Sequence, residues 1–144
     1  VNRTGNRMFY RIVDHTADFG LQVFGESRNV LFANAARAMF HQITDPEQLK
    51  GSRRRRISVR GLDLPDLMVN WLRELLYLWT GEGRLIQSTE ILSLSTTGLV
   101  AEVRFDPFAP HRHTIKTEIK AVTYHQIQVK ETTGGWEARI IFDV

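Results

Sequence analysis

The sequence predicts an α+β fold, a single domain of two main helices packed against antiparallel or mixed β-sheets, and three observations predict it. Two segments repeat apolar residues at three- and four-residue steps, and the second of them is almost apolar all round. From Leu85 onward the chain changes to short alternating runs separated by turn residues such as Thr97-Gly98 and TTGG. Helices early and a meander late place the chain in the α+β class.

Taken in order, residues 1–7 (VNRTGNR) read as a flexible leader, and the domain is expected to span residues 8–144. MFYRIV predicts a strand, DHTADFG breaks it with turn-forming Asp, Thr and Gly, and LQVFG predicts a second strand with Leu21 and Val23 on one face. Ser27 is placed to cap a helix reaching about Ile43, whose stripe of Val30, Leu31, Ala35, Ala38, Met39 and Ile43 makes a buried face. Asp45-Pro46 stops it, because the residue before a proline is pushed out of helical geometry. RRISVR alternates Ile57 and Val59 with arginines like a half-exposed strand. From Asp63 to Trp79 an N-cap aspartate, Pro65 in the first turn, and Leu67, Trp71, Leu75 and Leu78 predict a helix lying centrally, with Trp71 and Trp79 in the core. The later strands are expected at ILSLS, LVAEVRF, TIKTEI, VTYHQIQV and WEARIIF.

Composition narrows the function classes. At 144 residues the chain can bury a continuous core. Having no cysteine, it can form neither disulfides nor a thiolate nucleophile nor a cysteine-ligated zinc, which suits a reducing, cytoplasmic setting. No apolar run approaches the roughly 20 residues of a membrane helix. The formal charge of +3 is local: with the run Arg53 to Arg56 and the leader's Arg3 and Arg7 set aside, 13 basic residues face 16 acidic ones. That run reads equally as an edge guard against sheet-to-sheet pairing and as a direct RNA contact. Nucleophile-elbow, P-loop and dinucleotide fingerprints are missing, so chemistry rests on the carboxylates.

Those carboxylates gather at two points. Asp14, His15, Thr16 and Asp18 crowd one connection, as a plain turn or as oxygen ligands for a hard cation. The last strand, IIFDV, brings Asp143 and the terminal carboxylate of Val144; beside the first hairpin, these and Asp18 would form a like-charge cluster that a cation stabilises. IKAVTYH puts Lys120 and His125 near the start of a strand, while His111 and His113 form a Pro-flanked pair without a third ligand.

DHTADFG, the block DLPDLMVNWLRELLYLW, IKAVTYH and the closing FDV, in this order, resemble the archease family over about residues 8–144. The resemblance implies a non-enzymatic accessory factor for an RtcB-type RNA ligase, one that promotes guanylylation of the ligase and its repeated turnover in tRNA splicing and RNA repair. The alternatives are a chaperone or specificity modulator of a tRNA methyltransferase, which the resemblance also implies, and an RNA-binding module, which rests on the arginine run. The resemblance further implies a divalent metal, calcium with magnesium or manganese as substitutes, on Asp18, Asp143 and Val144. Lys120 is implied in activation, with Asp14 and His15 of the same motifs beside it.

Overall fold

The computed structural model describes residues 8–14 and 18–144, residue 14 in its backbone only; the leader and His15 lie outside them. In chain order they form β1 (Tyr10–Asp14), β2 (Phe19–Gly25), α1 (Arg28–Ile43), a 3-10 turn (Pro46–Gln48), β3 (Arg53–Arg60), α2 (Leu64–Thr80), β4 (Arg84–Leu94), β5 (Gly98–Pro107), β6 (Ala121–Val122), β7 (Gln128–Thr132) and β8 (Gly135–Asp143).

Both helices start by the same device. Gly25 closes β2 two residues before the cap Ser27, and Gly61 follows β3 two residues before the cap Asp63. The Ser27 hydroxyl accepts from Val30 N at 3.2 Å and the Asp63 carboxylate from Asp66 N at 2.9 Å, satisfying amides that a helix start leaves open. A Cβ on Gly25 would stand 2.5 Å from Leu31 N, and one on Gly61 2.6 Å from Leu67 N, so only glycine lets each strand end fold back onto its helix.

The strands form two sheets, antiparallel throughout. The larger runs β1-β2-β8-β6, with β7 also on β8; because β2 occupies one edge of β8, β6 and β7 share the other. The smaller is β3-β5-β4. α1 packs on β2, β8 and β4, and α2 touches strands of both sheets, so the helices lie between them. Trp71 is fully buried, and its indole N–H donates to the Phe32 carbonyl at 2.9 Å, binding α2 to α1. The central α2 was legible from its apolar circumference; Trp79, expected in the core beside Trp71, is only partly buried, edge-on to Phe108.

One expected strand is absent and another is interrupted. TIKTEI makes one isolated bridge, Thr44 to Ile115, and Lys116 N donates to the Ile43 carbonyl; its alternation serves to lay a loop over the end of α1 and to bury Ile119. VTYHQIQV divides into β6 and β7, because Thr123 turns the chain. Its hydroxyl donates to the Ile141 carbonyl and accepts from His125 N, and Gln126 takes a φ of 53°. Val122 and Ile127 still face the core on either side of the turn, which is why the run looks strand-like.

Candidate functional site

β2 and β8 pair from Phe19↔Phe142 to Gly25↔Trp136. Asp18 immediately precedes Phe19 and Asp143 immediately follows Phe142, so the two carboxylate residues flank the last pair of this ladder. On the other edge of β8, Ala121 pairs with Asp143, and Lys120 N–H donates to the Asp143 carbonyl at 2.8 Å. Asp18, Asp143, Val144 and Lys120 therefore meet at one end of the larger sheet. Asp14 sits one strand farther, its backbone opposite Phe19. His125 lies on the turn after β6, not in a strand.

The rim is polar over an apolar floor: Phe142 is fully buried, with Phe19 6.0 Å from it between ring centroids, while Asp143 is exposed and Asp18 half-buried. The donors offered are carboxylate and carbonyl oxygens, which suit hard cations. Among the described residues no three Asp, Glu or His side chains converge on one point.

A second polar cluster, not anticipated from the residues, joins the other two motif blocks. The Tyr124 hydroxyl donates to Asp66 Oδ1 at 2.6 Å; Asp66 Oδ2 accepts from Leu62 N at 2.8 Å; Asn70 Nδ2 donates to the Arg60 carbonyl at 2.8 Å. The Arg73 guanidinium lies 4.7 Å from the Tyr124 ring centre, and its Nε donates to the Val122 carbonyl at 3.0 Å. Asp66, Asn70 and Arg73 are the polar exceptions on one stripe of an otherwise apolar helix, and that spacing was the available signal. The tyrosine hydrogen bond, aided by Leu62 N–H and Arg73, holds the Asp66 carboxyl below its ordinary value, and the same bond raises the Tyr124 phenol. Tyr124→Phe is expected to move Asp66 back toward the ordinary carboxylate value, read by NMR titration of the carboxyl carbon. An unmoved titration would show that the contact is not kept in solution.

The remaining sequence candidates are elsewhere. His113 is buried, its Nδ1 accepting from Ala109 N at 3.0 Å with Phe108 stacked on the ring; it closes its own loop. Arg53 to Arg56 are all exposed, on the free edge of the smaller sheet.

The sequence model of the Archease protein family matches residues 10–144. The archease of Methanosarcina mazei is 34% identical over 139 residues, covering 94% of this chain and 95% of that protein. That of Methanopyrus kandleri is 32% identical over 135 residues, covering 92% and 96%. A solution structure of a Methanobacterium thermoautotrophicum protein superimposes with a TM-score of 0.80 at 27% identity, covering 94% of this chain and 99% of that one. The crystal structure of a Thermotoga maritima archease, described as a possible chaperone, has the same fold with a TM-score of 0.63 at 18% identity over 96% of this chain and all of that one.

Proposed function

This chain belongs to the archease family, and on that premise we propose that it activates an RtcB-type RNA ligase as an accessory factor. In this reading it promotes guanylylation of the ligase and repeated turnover in RNA joining, with a divalent metal at the Asp18–Asp143 end. The observation that supports the reading is the end of the β2–β8 ladder, where Asp18 and Asp143 flank the Phe19–Phe142 pair and Lys120 N–H donates to the Asp143 carbonyl. Strands paired on both edges of β8 hold these residues on a rigid rim, as a site that must meet a partner requires.

The donor set fits a hard divalent ion. Asp18 and Asp143 would hold it, with the Val144 carboxylate or a backbone carbonyl next in line; two carboxylates leave positions for water and for phosphate oxygens, the manner in which magnesium is usually held, while calcium accepts the same oxygens with more. When bound, the ion would supply charge neutralisation beside phosphates. The chain's own residues do the rest: Lys120 adds a positive group at the rim, and the Tyr124–Asp66 contact anchors the segment after Lys120 to α2. The description of the Thermotoga protein as a possible chaperone favours a second reading, in which the chain assists the assembly or specificity of a tRNA methyltransferase.

The test is a multiple-turnover ligation assay with the cognate ligase, GTP and a divalent metal. The wild-type chain is expected to raise turnover, and Asp18→Asn and Asp143→Asn each to lose about tenfold of that gain, the scale of a lost metal ligand or its support, while circular dichroism stays unchanged. Full stimulation by both variants would overturn the metal site. No stimulation by wild type would overturn the ligase reading and move the assay to the methyltransferase.

A further inference from the structure

We propose that the outer face of the smaller sheet binds single-stranded RNA through its phosphates, a site separate from the Asp18–Asp143 rim and independent of the reading above.

The pairing registers map this face directly. Arg54 on β3 lies opposite Arg104 on β5, which lies opposite Ser88 on β4; the next row is Arg56, Glu102 and Glu90, and the next Ser58, Val100 and Ser93. Arg60, opposite Gly98, ends the track on β3. Arg54, Arg56, Arg60 and Arg104 are all exposed, against two glutamates. Glu102 reaches Arg54 only at 3.8 Å, with the Arg54 side chain 60% exposed, a loose contact in water.

Two features exceed what guarding an edge requires. A guard needs charge on β3 alone, whereas the central strand contributes Arg104, and like charges directly opposite each other are unfavourable until an anion sits between them. The track also continues into a trough of about 370 Å³ lined by Ser58, Arg60, Ser93, Ser95 and Val100, which adjoins a larger one through Arg60, Ser95 and Gly98.

The chemistry selects the occupant. Guanidinium forks match phosphate oxygens in pairs of hydrogen bonds. Side chains two residues apart on a strand are roughly 6.6 Å apart, so Arg54 and Arg56 are spaced by about that distance along an extended backbone and Arg60 follows after Ser58 at about twice it. The face offers arginines and hydroxyls rather than an aromatic platform, which suits sugar and phosphate contact over base stacking; serine hydroxyls beside the arginines can pair with a 2′-hydroxyl, as phosphate-only recognition would not.

The experiment is fluorescence anisotropy of the full chain with a labelled single-stranded RNA of about 12 nucleotides, titrated between about 50 and 200 mM salt. Wild type is expected to bind with a log–log salt slope near −3, from about 0.7 per phosphate contact over four arginines. The combined variant R54Q/R56Q/R104Q should lose about 2 units of slope and at least tenfold in affinity at the lowest salt. R54K/R56K/R104K should keep most of the binding, separating charge from any change of fold, and K130Q on the larger sheet should match wild type. No salt-dependent binding by wild type, or an unaltered slope in the glutamine variant, would overturn the site. Equal affinity for the matching DNA strand would overturn the assignment to RNA, and tighter binding of polyglutamate than of RNA would give the face to an acidic protein instead.

Discussion

Trp71→Ala is expected to remove about 4 kcal/mol of unfolding free energy, the cost of emptying a large aromatic site whose walls cannot close. Trp71 has no exposed surface, and its side chain links the two helices by a hydrogen bond to the Phe32 carbonyl. The truncation therefore removes dispersion contacts with both helices and the clamp between them. For a domain of this size a loss on that scale is a large part of the total stability. Urea unfolding would read it as a lower midpoint at unchanged slope. Trp71→Phe keeps most of the volume and loses the N–H, so it should cost about 1 to 2 kcal/mol. Equal losses in the two variants would mean that the hydrogen bond, and not the packing, dominates.

Asp106→Ala is expected to cost about 3 kcal/mol and to change how stability depends on acid. Asp106 lies one residue before the end of β5 and is only 4% exposed; it accepts from Lys50 N at 2.7 Å, Gly51 N at 2.9 Å, Ser52 N at 3.1 Å and the Ser52 hydroxyl at 2.9 Å. Three successive amides can turn toward one carboxylate because Gly51 adopts a φ of +68°, where a side chain would be strained. Burial alone would raise the Asp106 carboxyl, yet the four donors outweigh it and hold it below its ordinary value. A depressed folded-state value contributes stability that is fully present above the unfolded value of about 3.9 and is lost as pH falls through the folded one. Wild type should thus lose urea resistance from pH 6 to pH 3 more steeply than Asp106→Asn, which carries no charge to protonate. Parallel acid limbs would show that folding does not hold the Asp106 carboxyl below its ordinary value. Because this carboxylate fastens the loop ahead of β3, its loss should also loosen the strand that carries Arg53 to Arg56.

Much of the architecture follows from local patterns. Ser27 and Asp63 start helices because their side chains bond the first free amides, and the apolar circumference of α2 calls for sheet on both sides, which the two sheets supply. TIKTEI and VTYHQIQV misled because alternation records which residues face the core and says nothing of whether a neighbouring strand is there to accept the ladder. Local order could name Asp18, Asp143 and Lys120 as candidates, since short polar strings at strand ends are unusual, but bringing Asp18 to the end of β8 depends on a pairing across more than a hundred residues of chain.

The elements, their caps, the buried face of each helix and the family to which the chain belongs are thus written in short-range spacing, where sterics and hydrogen bonding act within a few residues. Strand order and register belong to the tertiary structure alone. They decide that Asp18 and Asp143 flank the same strand pair, that Tyr124 closes on Asp66, and that Arg104 joins Arg54 to turn an apparent edge guard into a charged face. The reason is that a one-residue slip in pairing would exchange the two faces of every strand, and only the shared core between the sheets makes one register lower in free energy than its neighbours.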